Sequence, residues 1–492
     1  MSAGRRVSAR RTVAVVGGGV SGLAAAYELT RRSSAENLPV EVVLLEASPR
    51  VGGTVSTRGR DGFLLEGGPD SFITEKPEAL ELARELGLEP NLIGTNDEHR
   101  RAFVVRGGRL RPVPEGFQLL APSRLWPFVT TDIFSRRAKL RIASELFVPR
   151  RAAGVDDDES LADFVRRRFG REALERMAQP MIGGIYTADP EKLSLRATMP
   201  RFIEMERAHG SVIRALLKAR WRARAQGGDA GGTGGTSGAR YGLFLSLDGG
   251  LQMLTDRLAG GLPPGTVRTN ARVLSLDFDA ASRRWRLPLD TGETIEADAV
   301  CLALPAHASA KLLRATDAQL ASELDSIPYA STATVNVAYR RADIPHPLDG
   351  FGFVVPHAER RNVIACSFSS VKFAGRAPAG HALLRAFVGG ALQPEMFELD
   401  DAAMVAAVRE DFRALLGATA APLFAEVSRW PRSMAQYAVG HLARMKRVGS
   451  RLEQFPSLRL AGNAYTGAGL PDCIRGGQRA ARELLKAVNR DG

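Results

Sequence analysis

The chain has 492 residues, 45% of them hydrophobic, with a formal net charge of +13 and a pI near 10.1. A chain of this size buries more than one core, and no apolar run reaches the roughly 20 residues of a membrane-spanning helix, so we expect a soluble cytoplasmic protein of two or three domains. Three scattered cysteines and seven histidines without ligand spacing exclude a disulfide framework and predict no metal site.

A glycine-rich turn follows the first predicted strand, residues 12–17. After the turn the apolar residues recur at helical spacing, so the segment reads as strand, turn and helix. In this GxGxxG arrangement Gly17 allows a tight turn, Gly19 lets the backbone approach a pyrophosphate, and Gly22 lets the helix pack closely on the strand. The free N–H groups at the helix start attract the same anion. The candidate contacts of an adenine dinucleotide here are Gly17, Gly18, Gly19, Val20, Ser21 and Gly22.

The following segments extend the predicted ligand site. The second strand, VEVVLLE, ends in Glu46, which lies 24 residues after Gly22 and so near the spacing of the acid that accepts both ribose hydroxyls. Two further glycine pairs follow, in RVGGT and EGGPDS. These added backbone approaches imply a longer ligand than NAD and favour FAD. The candidate contacts are Glu46, Ala47, Arg50, Gly53, Thr54, Gly68, Pro69, Asp70 and Ser71.

The middle of the chain is predicted to be helical first and then rich in strands. Helical periodicity dominates residues 76–225, including one helix across 159–177, whereas residues 330–390 read as strands that we expect to cover the flavin. The Gly-rich stretch 226–240 predicts a flexible loop without an assigned function. Residues 117–147 mix large apolar and basic side chains, as a surface that contacts an anionic membrane does, although core packing explains the same pattern.

Two separated pieces complete the predicted FAD-binding domain. Residues 265–309 alternate apolar and polar positions as a β-meander does, and residues 458–488 form an apolar strand, a glycine-rich loop and an Ala-rich helix. The predicted fold is α/β, with a discontinuous Rossmann-type FAD-binding domain, a mixed-sheet substrate domain and a mainly helical insertion. The boundaries are 11–75, 241–310 and 455–490 for the FAD-binding domain, 76–110 and 311–454 for the substrate-binding domain, and 111–225 for the helical domain.

Five stretches resemble the protoporphyrinogen oxidases and bacterial coproporphyrinogen III oxidases of the flavin amine-oxidase superfamily. They are VVGGGVSGLAAAYEL, EGGPDSF, GGIYTADPEKLSLRATMPRF, DGFGFVVP and AYTGAGLPDCI, and the likeness spans nearly the whole chain. The resemblance implies six-electron oxidation of a porphyrinogen to a porphyrin in haem biosynthesis, with noncovalent FAD reoxidised by O2 to give H2O2. It also implies that the backbone of Val273 meets adenine. The C-terminal residues implied to approach the isoalloxazine are Asn463, Ala468, Gly469 and Leu470.

The resemblance also supplies candidate contacts on both sides of the macrocycle. They are Phe351, Gly352, Val354, Phe387 and, from the opposite side, Ile185. Many protoporphyrinogen oxidases place an arginine ahead of the GG.L...P motif to pair with a propionate. Here that position falls on Ala102, with Arg101 one residue earlier. Either a one-residue shift puts Arg101 in the same place, or the ion pair is absent.

Alternatives stay open for both substrate and protein class. Protoporphyrinogen IX, with two carboxylates, is preferred over coproporphyrinogen III, with four. An amine oxidase is disfavoured because Gly469 stands where an aromatic residue would close an amine cage. The other class is a noncatalytic flavoprotein or a nucleic-acid-binding protein. Aromatic residues, 7% of the chain, do not interleave with the arginine clusters, so no nucleic-acid partner is expected.

The resemblance finally implies partners other than FAD. They are the porphyrinogen, O2, an anionic membrane surface on which the protein rests peripherally, and a haem-pathway enzyme such as ferrochelatase, with a homodimer as a further expectation. Cys473 stands beside the flavin motif, and we expect its side chain to pack rather than to bond the flavin covalently.

Overall fold

The computed structural model describes residues 10–151, 158–225 and 244–490. The predicted loop 226–240 lies outside these ranges. Within them, no helix is both long and apolar enough to cross a membrane. The first elements are β1 (Arg11–Val16), α1 (Val20–Ala35), β2 (Val40–Leu45), β3 (Thr57–Arg60), β4 (Phe63–Glu66), β5 (Phe72–Ile73), α2 (Glu78–Glu85), β6 (Leu92–Gly94), β7 (Phe103–Arg106) and β8 (Arg109–Pro112).

The next part, up to residue 225, is mostly helical. Its elements are β9 (Phe117–Gln118), β10 (Ala121–Pro122), α3 (Leu125–Thr130), α4 (Arg136–Ala143), a 3-10 turn (Ser144–Phe147), α5 (Leu161–Arg168), α6 (Arg171–Ala173), a π-helical turn (Leu174–Ala178), α7 (Gln179–Tyr186), α8 (Leu195–Thr198), α9 (Pro200–His209) and α10 (Val212–Ala225).

The remaining elements alternate between strands and helices. Those before residue 326 are β11 (Phe244–Leu247), α11 (Gln252–Gly260), β12 (Val267–Arg268), β13 (Asp277–Asp279), β14 (Arg284–Pro288), β15 (Thr294–Ala297), β16 (Ala299–Leu302), α12 (Ala306–Leu313) and α13 (Ala318–Asp325). Those after it are β17 (Tyr329–Arg340), β18 (Gly352–Val354), β19 (Ala365–Phe368), α14 (Ser369–Lys372), β20 (His381–Gly389), α15 (Glu395–Glu398), α16 (Asp401–Leu416), β21 (Phe424–Ala435), α17 (His441–Leu452), β22 (Leu458–Leu460) and α18 (Leu470–Arg490).

A five-stranded parallel sheet forms the base of the molecule, in the order β12-β2-β1-β16-β22. Val13 of β1 pairs with Val42 on one side and Ala299 on the other, so the central strands are apolar on both faces, as a sheet covered by helices requires. Val13 lies in the core shared with α1, α11 and α18, whereas Val16 lies in the core shared with β14 and α12. The predicted α/β fold class is confirmed, while the domain boundaries stay predictions.

A second, mixed sheet has seven strands in the order β21-β17-β20-β19-β18-β7-β8. We call it the cover sheet. One of its faces, with Val335 and Val388, packs against Met404 and Phe412 of α16. The opposite face turns towards the segment that follows β4, because Thr334 donates a hydrogen bond to the carbonyl of that segment's first glycine.

The helical part differs from its prediction at one named helix. Residues 117–122, for which the sequence predicted no specific element, form a short antiparallel hairpin. The single helix expected across 159–177 is interrupted at Gly170, which has a φ of +93°. A left-handed backbone conformation ends an α-helix, and glycine adopts it without steric penalty. The chain then restarts as α6 and passes through a π-helical turn into α7.

The basic run near residue 167 has a structural role. Arg168 is fully buried and donates from Nε to Glu145 Oε1 at 2.8 Å and from Nη1 to Glu206 Oε1 at 3.3 Å. Arg167 binds the same Glu206 at 2.7 Å. A buried charge needs such pairing, so these arginines join α5, α9 and the 3-10 turn rather than serve a soluble partner.

Candidate functional site

The glycine loop between β1 and α1 is packed on one side and open on the other. Gly17 has a φ of +105°, and an added Cβ would lie 2.5 Å from the carbonyl oxygen of Ala303. A Cβ on Gly22 would lie 1.9 Å from the carbonyl oxygen of Gly17, whereas a Cβ on Gly19 would meet no atom within 4 Å. The unpaired N–H groups of the first turn of α1 lie beside this opening at Gly19.

Glu46, at the end of β2, ties the neighbouring loops together. Its Oε2 accepts a hydrogen bond from the backbone N–H of Gly18 at 2.7 Å, and its Oε1 accepts from the N–H of Ser48 at 2.8 Å. The N–H of Ala271 donates to the Glu46 carbonyl oxygen at 2.9 Å. This hydrogen bond places the segment that contains Val273 next to the end of β2. The ribose-binding candidate thus lies between the glycine loop and Val273.

The loop 50–54 lies directly against the glycine loop. A Cβ on Gly53 would come within 3.2 Å of the Gly19 Cα. The Arg50 guanidinium donates to the carbonyl oxygens of Gly53 at 2.6 Å and Val55 at 3.1 Å, so it stabilises the conformation of this loop. Gly53 and Thr54 are exposed beside the opening at Gly19.

The C-terminal loop before α18 is fixed by one phenol. Tyr437 donates its O–H to the Asn463 carbonyl oxygen at 2.6 Å and accepts from the N–H of Gly467 at 2.8 Å. Behind the loop, α18 packs on α1 at backbone distance, because a Cβ on Gly477 would lie 2.1 Å from the Ser21 carbonyl oxygen. The first turn of α1 thereby lies against α18 about two turns from the start of α18.

These loops fit an extended dinucleotide such as FAD. Gly19, Gly53 and Gly469 present backbone without a side chain in the three loops, and α1 and α18, of 16 and 21 residues, begin directly after Gly19 and Gly469, so their positive ends lie at these loops. A cavity of about 430 Å³ continues from Arg50 past Gly67 to Trp430. Glu46 would hold the ribose, the glycine loop the diphosphate, and the region from Gly67 onwards the flavin.

The cover sheet holds the carbonyl groups of residues 66–68 with four side-chain donors. These hydrogen bonds run from Trp430 Nε1 and Thr334 Oγ1 to Gly67, both at 2.7 Å, from Asn336 Nδ2 to Glu66 at 3.1 Å, and from Arg385 Nη2 to Gly68. Sequence reasoning assigned none of the four donors. A signal existed for two of them, because Thr334 and Asn336 are polar residues on one face of β17, where they alternate with the apolar Ala333, Val335 and Val337.

Asp70, at the end of this segment, is held by two cations. Lys372 Nζ lies 3.0 Å from both carboxylate oxygens, and Arg385 Nη1 lies 3.5 Å from Oδ2. Burial acts to raise the pKa of the Asp70 carboxyl, but Lys372 and Arg385 outweigh it and hold that pKa well below its ordinary value. Asp70 is therefore ionised at neutral pH. Glu66, by contrast, has a pKa raised by burial.

Three of the predicted macrocycle contacts come together beside this segment. A Cβ on Gly184 would lie 3.4 Å from Val354 Cγ1, so α7, which carries Ile185, passes directly over β18. Val354 and Phe387 face the same side of the cover sheet. The Arg385 guanidinium lies 4.7 Å from the centroid of the Phe387 ring, which links this apolar wall to Gly68. We call the space bordered by Ile185, Val354 and Phe387 the apolar groove.

The other predicted contacts have structural tasks in addition. Gly352 has a φ of +139°, and an added Cβ would lie 2.0 Å from a backbone oxygen of β19, so strand packing demands glycine here. Phe351 is 2% exposed and donates its N–H to the Arg101 carbonyl at 2.8 Å. The Arg101 side chain is 53% exposed and pairs with Asp349 at 3.0 Å. Arg101 is thus an accessible cation whose charge is already partnered.

Comparisons with known proteins agree with this architecture. The family described as flavin containing amine oxidoreductase matches residues 20–485. The chain belongs to this family. A coproporphyrinogen III oxidase from Propionibacterium freudenreichii subsp. freudenreichii is 38% identical to this flavin oxidoreductase, over 96% of this chain and 90% of the relative. A protoporphyrinogen oxidase from Bos taurus is 32% identical, over 96% and 98%. The crystal structure of an Exiguobacterium sp. 255-15 protein assigned as a protoporphyrinogen oxidase has a TM-score of 0.84 at 31% identity, covering 98% of this chain and 99% of that one.

Family membership confirms that the protein is a flavin-dependent oxidoreductase, and the two relatives confirm its predicted resemblance to the porphyrinogen oxidases. Cys473 is 7% exposed, and burial raises the pKa of its thiol to about 12, so the thiol is protonated at neutral pH. Across residues 10–151, 158–225 and 244–490, no group of three or more His, Cys, Asp or Glu side chains is placed to hold a metal ion.

Proposed function

We propose that this flavin oxidoreductase uses noncovalent FAD and O2 to oxidise a porphyrinogen to the porphyrin, with protoporphyrinogen IX as its preferred substrate. The observation that carries the proposal is the position of the apolar groove, with Ile185 on one side and Val354 and Phe387 on the other, next to the Gly68–Asp70 segment. An apolar groove beside a flavin suits a flat macrocycle better than it suits a small polar amine.

The reaction balances over three rounds. In each round the macrocycle loses a hydride from a meso carbon and one proton, and one O2 takes up two electrons and two protons to become H2O2. Over the three rounds the four meso carbons lose one hydrogen each and two of the four pyrrole nitrogens lose theirs. The total is porphyrinogen plus three O2 giving porphyrin plus three H2O2, with six electrons transferred. FAD, when bound, supplies the hydride acceptor and the site of reoxidation.

The side chains of the groove position the substrate and exclude water. Phe387 and Val354 supply the wall on the cover sheet, and Ile185 supplies the wall on α7. Holding the macrocycle between two walls fixes the distance of its reacting carbon, which lowers the entropic part of the barrier. The buried, protonated Cys473 thiol supports a noncovalent flavin, because a thiolate is the form that forms covalent bonds.

Two arginines on segments that adjoin the groove-forming elements support a substrate with few carboxylates. Arg101 is paired with Asp349 at 3.0 Å, and Arg176, in the π-helical turn before α7, is paired with Glu359 at 2.6 Å. Four propionates would compete with both pairs, whereas the two of protoporphyrinogen IX need fewer cations. Coproporphyrinogen III remains the second candidate, because the 38% identical relative is a coproporphyrinogen III oxidase.

Anaerobic titration tests the proposal. The purified protein should be yellow, its flavin absorbance should bleach on addition of a porphyrinogen without O2, and the band should return in air. The ratio of kcat/KM for the two porphyrinogens then decides the substrate, and we expect it to favour protoporphyrinogen IX. A flavin spectrum that neither porphyrinogen changes would overturn the assignment.

We also propose that the helical part rests on an anionic membrane. Large apolar side chains are exposed on one of its surfaces, which we call the apolar face: Leu125, Trp126, Val129, Leu140, Phe147 and Trp221. Hydrogen bonds show that the elements carrying them adjoin, since Lys139 Nζ donates to the Val129 carbonyl at 2.6 Å and Arg214 Nη2 donates to the Leu146 carbonyl at 3.4 Å.

Exposed cations rim the apolar face. They are Arg136, Arg137, Arg150, Arg214, Lys218 and Arg222. Apolar anchors with a basic rim match the chemistry of an anionic lipid surface. Association with ferrochelatase and formation of a homodimer stay predictions.

A further inference from the structure

Five charged side chains lie buried behind the Gly67–Ser71 segment. Their exposed fractions are small: Arg376 2%, Arg385 3%, Glu66 4% and Lys372 6%, with 16% for the side chain of Asp70. We call them the buried ion cluster. Three cations face two carboxylates, so the cluster carries at least one excess positive charge.

Two of the three cations are well satisfied. Lys372 lies 3.0 Å from both oxygens of Asp70. Arg376 donates to the backbone carbonyls of Asp248 at 2.9 Å and Leu247 at 2.8 Å, and lies 4.0 Å from Glu66. These contacts anchor the cluster to the FAD-binding side of the molecule.

Arg385 is the cation whose partners are incomplete. Nη2 donates to the Gly68 carbonyl and Nη1 lies 3.5 Å from Asp70, but the buried Nε has no hydrogen-bond partner. Among the described residues, Asp70 is the only carboxylate that forms an ion pair with Arg385. A desolvated donor and an unbalanced charge destabilise the fold unless an anion comes near, so this corner of the site favours negative charge.

The location of Arg385 indicates which negative charge that is. The guanidinium lies between the Gly68 carbonyl, in the segment expected to face the flavin, and the Phe387 ring, in the apolar groove. When bound FAD takes up a hydride, two electrons and one proton arrive, and the flavin becomes an anion unless solvent supplies a second proton. A fixed cation close to that anion would stabilise it in a site of low dielectric.

We propose that the buried ion cluster, acting through Arg385, stabilises the anionic reduced flavin and so raises the reduction potential of the bound FAD. The inference rests on the proposed function only for the place of FAD. Arg385 is a positioning residue here, because it acts on the flavin by its charge and by holding Gly68. A raised potential makes hydride uptake from the macrocycle more favourable in each of the three rounds.

Sulfite binding and potentiometry test the inference without any porphyrinogen. Sulfite adds to an oxidised flavin and leaves it negatively charged, so its Kd reports the charge around the ring. Arg385→Met should weaken sulfite binding by about tenfold and lower the two-electron potential by about 30 mV, the equivalent of tenfold. Asp70→Asn removes a negative charge and should shift both quantities in the opposite direction. Arg385→Lys should stay near the wild type.

The opposite signs separate an electrostatic role from a structural one. Arg447→Met is the matched control, because Arg447 is an exposed arginine paired with Glu323 on α13, and its loss should leave both quantities unchanged. FAD content and circular dichroism establish that each variant is folded. If Arg385→Met loses its flavin, the sulfite Kd and the potential of Asp70→Asn are compared with those of Arg385→Lys to test the inference. Shifts of the same sign in the Arg385→Met and Asp70→Asn variants, or no shift, overturn the inference. A wild-type protein that takes up no FAD overturns the proposed function as well, whereas a yellow protein inert towards porphyrinogens overturns that function alone.

Discussion

Trp430 donates its indole N–H to the carbonyl oxygen of Gly67 at 2.7 Å, across 363 residues of the chain. Thr334 donates to the same oxygen at 2.7 Å. Both donors lie on the cover sheet, and Gly67 belongs to the segment after β4. This pair of hydrogen bonds therefore fixes the relative position of the part that fits FAD and the part that borders the apolar groove.

Replacing Trp430 with phenylalanine tests this connection. The ring stays, but the Gly67 carbonyl keeps one donor instead of two, so we expect unfolding to become easier by about 1 kcal/mol and FAD to dissociate more readily. Urea unfolding and FAD retention on gel filtration measure the two effects. Trp126→Phe is the control, since Trp126 is 77% exposed and its change should lie within about 0.5 kcal/mol of zero. Equal behaviour of the two variants would contradict the assignment.

Gly22→Ala should give a colourless protein. The added methyl group would lie 1.9 Å from the Gly17 carbonyl oxygen, and α1 has to move away from the glycine loop to make room. Flavin absorbance per mole of purified protein measures the loss. Gly449→Ala provides the comparison, because a Cβ there meets nothing within 4 Å and alanine favours the helix that contains it. A yellow Gly22→Ala protein would mean that this loop does not carry the diphosphate.

His441 should make stability fall as the pH falls below about 6.5. Burial lowers the pKa of its imidazole from 6.5 to about 4. Between these values the unfolded chain binds a proton that the folded chain does not, so the free energy of unfolding decreases towards pH 4, by up to about 3 kcal/mol from this group. His441→Phe keeps a ring stacked on Tyr437, whose centroid lies 4.3 Å away, and should flatten this part of the profile.

Urea unfolding with saturating FAD at pH 7 and pH 4.5 gives the comparison for His441. Carboxylates titrate in the same range, so the informative quantity is the difference between wild type and variant. His357→Asn is the control, because His357 is exposed and should keep the wild-type slope. An unchanged slope in His441→Phe would show that the imidazole is not kept neutral by the fold.

Phe387→Ala should raise the KM for the porphyrinogen by roughly tenfold or more, because the ring offers about 1.5 to 3 kcal/mol of apolar contact. Steady-state rates under air, with FAD saturating, measure the effect. Phe278→Ala serves for comparison, since Phe278 packs against Trp285 in the β13–β15 sheet and its loss should lower stability without changing KM. If both variants keep the wild-type KM, Phe387 does not border the substrate.

The apolar face predicts binding to anionic vesicles. Trp126→Ser combined with Leu140→Ser should strongly reduce sedimentation with vesicles containing phosphatidylserine, and binding by the wild type should weaken with added salt, because the basic rim is screened. Leu274→Ser, at a residue that is 57% exposed outside the apolar face, should bind like the wild type. Wild-type protein that remains in the supernatant with such vesicles would remove the membrane proposal.

Local sequence patterns were sufficient to predict the fold class and the family. A glycine in the tight turn after a strand, such as Gly17, indicates a positive φ. The apolar composition of VEVVLLE indicates a strand that is at least partly buried. The break at Gly170 was missed because the flanking residues keep helical spacing on both sides, and periodicity alone does not show that the backbone turns left-handed between them.

Long-range polar partners could not be predicted in the same way. Asp70 lies about as far in sequence from Lys372 as from Arg385, some 300 residues, and nothing in a single sequence pairs them. Glu46 illustrates a second limit, because its spacing predicts a ribose ligand but not its hydrogen bonds to Gly18 and Ser48. Such contacts depend on how the cover sheet docks, which is a property of the whole fold.

The order of the parallel sheet constrains synthesis of the chain. β1 is a central strand, yet its neighbour β16 follows it by nearly three hundred residues and β22 comes close to the C-terminus. At roughly 5 to 20 residues per second, β1 waits on the order of 15 to 60 s on the ribosome before that neighbour has been made. During this interval β1, which contains Val13 and Val15, has one edge whose backbone hydrogen-bonding groups are unpaired. Such an edge promotes aggregation. Newly made chains should therefore need chaperone protection at least until β16 has been translated.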